Sequence, residues 1–256
     1  GSDRIKANRH NLAILSFFKV WDIMSDQKIG LRVIMNNVIP LARGLGSSSS
    51  AIVAGLTAAN YLTGSKLSQY DLLNLATEIE GHPDNVAPAI FGGITVSYMR
   101  DGKANALKFM PNKPLQLVAI IPELALSTRA ARQVLPKDIK HQDAVFNASR
   151  TGLLVAALLS GDYTHLTAAL EDRLHQPYRL GLIPGAAQAF AAARAQGAYN
   201  AVISGAGSTL MAYLPVECSA KKVALAMQKE LVAHNIAASY QVLKIDETGA
   251  QVLPNS

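Results

Sequence analysis

The chain has 256 residues, half of them apolar and 16% charged, which supplies a sizeable core and excludes global disorder. Its 24 basic and 18 acidic residues leave a net charge of +6, suited to a small anionic partner; the basic residues are scattered and aromatics reach only 6%, against the concentrated stripe of a nucleic-acid binder. The longest strongly apolar run, Gly152 to Leu159, is far shorter than the roughly 20 residues of a membrane helix, no basic leader precedes an apolar stretch, and the lone Cys218 can form neither an internal disulfide nor a thiolate metal site.

These features predict a protein of the reducing cytoplasm without a membrane or nucleic-acid partner. The opening Gly1-Ser2 reads as a cloning remnant. Residues 8–24 carry Leu12, Leu15, Phe18 and Trp21 on one helical face. Residues 29–39 alternate, with Leu31, Val33 and Met35 on one side, which predicts a strand closed by Pro40. A glycine–serine turn leads into an apolar helix from Ser48 to Leu62, stopped by Gly64. Ser68 and Asp71 have capping-pair spacing ahead of a helix whose stripe is Leu72, Leu75 and Ile79, and which ends at Gly81. Ile94, Val96 and Tyr98 alternate before Asp101-Gly102, a hairpin turn. Pro111 and Pro114 bracket a stiff connector and a domain boundary.

The second half opens with a strand from Leu115 to Ile121. Helices follow near 143–160, 163–174 and 184–196, then strands at Ala201–Ile203 and Thr209–Tyr213 around a glycine turn. A helix near 218–233 and a strand at Ser239–Leu243 finish the pattern. Two sets of strands and helices joined by a proline hinge predict two α+β lobes.

Three segments carry chemistry. The first is Pro40-Leu41-Ala42-Arg43-Gly44-Leu45-Gly46-Ser47-Ser48-Ser49-Ser50, between the predicted strand and helix. Its glycines let backbone approach a bulky anion, and the helix start offers unpaired amides and a positive dipole end. The combination suits phosphate, and the hydroxyls can donate to phosphate or ligate Mg2+. The lysine of a Walker-type P-loop and the third glycine of a dinucleotide fingerprint are both missing. A capped helix after a tight turn is the alternative, weakened by serines in excess of the one a cap needs.

The second segment, from Glu78 to Pro88, gathers Glu78, Glu80, His82, Asp84 and Asn85. Carboxylates at a helix end suit Mg2+ beside a phosphate. Glu78 and Glu80 stand about 200° apart on a helix, so one of them faces the site. A solvated helix end with an Asx turn is the alternative. The third segment, Ser204-Gly205-Ala206-Gly207-Ser208-Thr209, is either a flexible hairpin or a support for the first. Arg129, Arg132 and Arg179 lie in polar breaks; such arginines are surface charges or carboxylate-binding forks.

In this order, P-x-x-R-G-L-G-S-S-S, E-G-H-P-D-N-V-A-P and S-G-A-G-S-T resemble the GHMP kinase superfamily, and the middle motif resembles its homoserine-phosphorylating branch. The similarity runs from about Asn11 to the C-terminus. It implies an α+β, two-lobed GHMP kinase fold. The first lobe would be like ribosomal protein S5 domain 2 and the second ferredoxin-like, with an ATP-binding domain over 1–112 and a C-terminal domain over 113–256. It implies ATP and L-homoserine as substrates, O-phospho-L-homoserine as product on the route to threonine, Mg2+ as cofactor, and a possible homodimer. By resemblance, Pro40, Arg43, Gly44, Leu45, Gly46, Ser47, Ser48, Ser49 and Ser50 would hold ATP phosphates, supported by Gly205 and Gly207. Ser48 would ligate Mg2+ with Glu78, or with Glu80 in its place. His82, Asp84, Asn85, Thr128, Arg132 and Arg179 would bind the amino-acid substrate, with Asn85, Arg132 and Arg179 nearest the reacting groups.

The family's opening segment, P-x-T-x-N-L-G-x-G-F-D, has no match in residues 1–40. The expectation is a first lobe lacking its first strands and impaired activity in this chain. A kinase for another small alcohol and a nucleotide-binding protein without activity are the alternative readings.

Overall fold

The computed structural model describes residues 10–253. The reading of Gly1-Ser2 and the start of the first helix at residue 8 lie outside them. One compact unit comprises, of these residues, 10–41, 46–110 and 245–253; the other comprises 42–45 and 111–244. The anticipated division after residue 112 thus differs at three places: the boundary falls after residue 110, and the short turn at 42–45 and the C-terminal segment each join the other unit.

In the first unit the elements are α1 (Leu12–Met24), α2 (Ser47–Leu62), α3 (Gln69–Glu80), α4 (Val86–Phe91), β1 (Ile94–Arg100) and β2 (Lys103–Phe109). Asn11 caps α1 by accepting from Ala13 N at 2.9 Å. The buried face of α1 is Ala13, Ser16, Phe17 and Val20, and Leu15 of the anticipated stripe is half exposed. The cause is its neighbour: a Cβ at Gly55 of α2 would lie 2.1 Å from the Ala13 carbonyl oxygen. So close a backbone approach selects small residues at the crossing and rotates the larger ones to its flanks. Ser68 and Asp71 form the expected capping box on α3, and Gly81 ends the helix at φ 92°. Its buried residues are Leu72, Leu73, Ala76 and Thr77; Leu75 and Ile79 are only partly covered.

No strand forms over 29–39. Val33, Ile34, Met35 and Val38 are exposed, and the first unit's sheet contains only β1 and β2 among the described residues. Alternation decides which way side chains point, whereas a strand also needs a neighbour's amides and carbonyls. The β1–β2 hairpin turns at Asp101 and Gly102, both at positive φ, as the Asp-Gly pair requires. The core gathers Phe17, Val20, Ile52, Leu56, Leu73, Val86 and Ile90. Residues 245–253 join this unit through backbone: Gly93 N donates to Asp246 O at 2.6 Å and Ala250 N to Ala89 O at 2.9 Å. Lys108 Nζ adds a bond to the Glu247 carbonyl.

The second unit holds β3 (Gln116–Pro122), α5 (Thr128–Gln133), α6 (His141–Ser160), α7 (Leu166–Ala169), α8 (Gln176–Arg179), α9 (Ala186–Ala195), β4 (Asn200–Ile203), β5 (Leu210–Leu214), α10 (Ala220–Ala233) and β6 (Ala238–Leu243). The sheet order is β4-β5-β3-β6, antiparallel throughout, the ferredoxin-like arrangement. Ile120, Ile183, Leu210, Leu214, Met227 and Leu231 are fully buried between sheet and helices. The helix anticipated at 163–174 is broken: a 3-10 turn and the short α7 are followed by irregular chain to His175. Asp172 captures the amides of Leu174, His175 and Gln176, which then cannot continue a helical ladder. No helix among the described residues is long and apolar enough to cross a membrane.

Gly55→Ala is expected to lower stability by about 1–3 kcal/mol, because the added methyl meets backbone rather than a movable side chain. Urea denaturation of the variant checks it.

Candidate active site

In the first unit, α2 begins after Gly46, which sits in the left-handed region at φ 72° and provides no side-chain cap. The serines do not cap the helix either. Ser48 Oγ donates to Glu80 Oε2 at 2.7 Å and Ser49 Oγ to Glu80 Oε1 at 3.1 Å, while Ser50 Oγ donates to Ser47 O. The first-turn amides of α2 are thus left without a side-chain acceptor, and the opening of the helix keeps its capacity for an anion.

Glu80 is the last residue of α3, one position before the left-handed Gly81. Glu78 lies two residues earlier and points elsewhere, with Oε2 3.0 Å from Lys19 Nζ on the surface. The structure therefore brings Ser48 together with Glu80 and not with Glu78, the glutamate first taken as metal ligand. The helical angle separating the two allows only one to face α2. His82 Nδ1 stands 2.9 Å from Asp84 Oδ1, an ion-pair distance without hydrogen-bond alignment. Asp84 is well exposed, and Asn85 occupies the cap position of α4 without making a side-chain capping bond. These polar groups share one turn, and the buried Pro83 and Val86 anchor it. The helix that follows, α4, was not anticipated; Pro88 inside it obscured a run of only six residues.

In the second unit, the turn at 42–45 is clasped by the turn between β4 and β5. Ser204 Oγ donates to Gly44 O at 2.8 Å. Thr209 N donates to Arg43 O at 3.1 Å, and Gly207 N to Ser204 O at 2.9 Å. A Cβ on Gly44 would lie 2.1 Å from Ser204 O, and Gly44 has φ 73°. Gly205 lies against the Gly44 backbone, so the first and third motifs meet here. Arg43 Nε donates to Pro122 O at 3.0 Å and Nη1 to Ala42 O at 3.3 Å. Its guanidinium helps hold the turn in place by these bonds.

Thr128 and Arg132 lie four apart on α5, on one helical face, with Ser127 as the cap. Arg179, at the end of α8, donates through Nε to Ala131 O at 3.1 Å and through Nη1 to Gly205 O at 3.0 Å. Burial pulls the Arg179 guanidinium below its ordinary range; Asp172 acts against this and Arg132 adds to it. Arg129 is exposed. The helices α5 and α8 were read as polar breaks, although Ser127 and the Asp172-to-Pro177 stretch carried cap signals for them.

Two family models match the chain: GHMP kinases N terminal domain over residues 12–93 and GHMP kinases C terminal over 154–233. The homoserine kinase of Picosynechococcus is 43% identical over 98% of this chain and 82% of its own length. That of Desulfitobacterium hafniense is 39% identical over 97% of this chain and 84% of its own length. This chain belongs to the homoserine kinases, within the GHMP kinase superfamily. A crystal structure of homoserine kinase from Cytophaga hutchinsonii has a TM-score of 0.88 at 32% identity, covering 96% of this chain and 80% of that one. A mevalonate kinase structure, at TM-score 0.66 and 14% identity, shares the fold. The two-lobed α+β fold is that of the family. The expectation that the N-terminal family pattern is missing is corrected: the N-terminal family model is matched from the start of α1 to Gly93, the residue before β1.

Gly44→Ala is expected to cost about 2–4 kcal/mol, from left-handed strain plus collision with the Ser204 carbonyl. Chemical denaturation alongside an ATP-binding isotherm tests this, with weaker nucleotide binding expected.

Proposed function

We propose that the chain transfers the γ-phosphoryl group of ATP to the side-chain hydroxyl of L-homoserine, releasing ADP and O-phospho-L-homoserine for threonine synthesis. The observation that carries this reading is homoserine kinase kinship at 43% identity over 98% of the chain. The uncapped start of α2, immediately after a glycine turn, supports it by offering amides to a polyphosphate. Gly44 to Ser50 would hold those phosphates. His82, Asp84 and Asn85 would engage homoserine, with Thr128, Arg132 and Arg179 contributing from the second unit. The cytoplasm is the setting.

In the transfer, the homoserine oxygen forms a bond to the γ-phosphorus while the bond from that phosphorus to the bridging oxygen of ADP breaks. The hydroxyl proton departs to solvent. Such a transition state is loose, and positioning with charge neutralisation does most of the work. Arg132 and Arg179 would supply positive charge, and the α2 amides would hold the phosphates against it. Asp84 would bind the substrate ammonium rather than act as a required base. The hydroxyl oxygens of Ser48 and Ser49 meet the Glu80 carboxylate, and this all-oxygen donor set fits a hard cation such as Mg2+. Bound by Ser48 and Glu80, Mg2+ would offset the negative charge of the phosphate oxygens.

The test is a coupled ADP assay across a panel of small alcohols, with and without L-homoserine. Homoserine-dependent ADP release is expected. Release with a different alcohol only, or ATP binding without any release, overturns the reading. Glu80→Gln is expected to raise the Mg2+ concentration for half-maximal turnover by at least about tenfold, whereas Glu78→Gln changes it less than about twofold. A Mg2+ titration of each variant decides between the two glutamates. Asp84→Asn is expected to raise the homoserine KM about tenfold with a smaller fall in kcat, as for loss of a charge-assisted contact. A pure kcat loss would reassign Asp84 as a base.

A further inference from the structure

Asp172 belongs to none of the three motifs and lies in the irregular chain between α7 and α8. Its Oδ1 accepts from Leu174 N at 2.9 Å and from Asn147 Nδ2 of α6; its Oδ2 accepts from His175 N at 2.8 Å and from Gln176 N. One carboxylate therefore gathers three successive amides that lead into α8, the last of them that of Gln176, its first residue. The nearby cations are engaged elsewhere: Arg150 pairs with Glu171, and Arg173 with Asp143. Both of these guanidinium groups also stack over the Phe146 ring. Burial pushes the Asp172 carboxyl up, but the bonds from Gln176, Asn147, Leu174 and His175 outweigh it and hold the group below the usual carboxylate range.

The consequence of this cap reaches Arg179 through α8. Gln176 Oε1 accepts from Ile203 N at 2.9 Å, which ties the start of α8 to the end of β4. One helical turn later Arg179 meets Ala131 O and Gly205 O. The negative charge of Asp172 also acts on Arg179 against the positive charge of Arg132. An arginine fork recognises a carboxylate bidentately only when its plane is held.

We propose that Asp172 is a positioning residue for substrate recognition: its carboxylate fixes the chain entering α8, so that the Arg179 guanidinium one turn later is held for the carboxylate of the amino-acid substrate. This rests on the assignment of Arg179 to homoserine binding. Asp172 does not itself touch the substrate; it acts through α8.

The experiment is a double-mutant cycle on the full chain, read as the homoserine KM in turnover and the homoserine dissociation constant by calorimetry. Asp172→Asn is expected to raise both about tenfold while the KM for ATP stays within about twofold. In an Arg179→Ala background the same substitution is expected to change homoserine affinity no further. Unchanged homoserine affinity in Asp172→Asn overturns the proposal. So does an undiminished effect in the Arg179→Ala background, which would make Asp172 a structural cap alone. Arg179→Ala that leaves homoserine affinity intact removes the assignment of Arg179, a result distinct from the first two, and the proposal with it. Should Asp172→Asn fail to fold, Asn147→Ala, which keeps the Asp172 charge but takes away one of its donors together with the acceptor of the Arg173 amide, replaces it in the cycle. A rise of about threefold that disappears with Arg179→Ala supports the proposal, and no rise overturns it.

Discussion

The contact on which the second unit's contribution depends is the meeting of two glycine turns, where Gly44 packs against the carbonyl of Ser204. Any side chain at Gly44 would place its first carbon 2.1 Å from that oxygen. The Ser204 hydroxyl bonds back to the Gly44 carbonyl, and the Thr209 amide to that of Arg43. A turn of four residues, distant in sequence from β4 and β5, thus becomes part of their unit. The same glycine turn between β4 and β5 accepts from Arg179 at Gly205 O. The clasp and the arginine share one piece of backbone, so a disturbance of the turn reaches both.

Carboxylates organise what the glycines leave open. Glu80 accepts from two successive serine hydroxyls at the opening of α2, and Asp172 accepts from three successive amides at the opening of α8. The two have opposite effects on their helices. Asp172 ties down the chain that enters α8 and accepts from the amide of its first residue, Gln176. Glu80 takes the hydroxyls and leaves the α2 amides uncapped, which keeps that helix end available to phosphate. A helix start that binds a ligand must remain unsatisfied by its own chain, whereas one that only positions a side chain is better closed.

Much of the local structure around the candidate site was legible because it is set by near neighbours. Ser68 with Asp71, Asp101-Gly102 and Gly81 each satisfy a backbone requirement within a few residues, and the capping box, the hairpin and the helix end all formed as read. The glycine–serine run and the H-P-D-N turn were recognisable for the same reason. The choice between Glu78 and Glu80 was not, since it depends on which side of α3 meets α2. Nor was the face of α1: apolar periodicity pointed to Leu12, Leu15, Phe18 and Trp21, yet the close approach at Gly55 buried Ala13, Phe17 and Val20. The segment at 29–39 has the alternation of a strand and no ladder among the described residues.

By itself, then, the order of residues determined the α+β class, the family and the local turns that could approach phosphate, because glycine conformations, caps and hairpins are decided by near neighbours. Tertiary structure decided which glutamate joins Ser48, that Arg43 holds a turn by backbone oxygens, and that Asn147 of α6 meets Asp172 ahead of α8. Those outcomes depend on atoms brought together from positions far apart in the chain. Helix rotation and close backbone packing set them, and neither leaves a periodic trace in sequence.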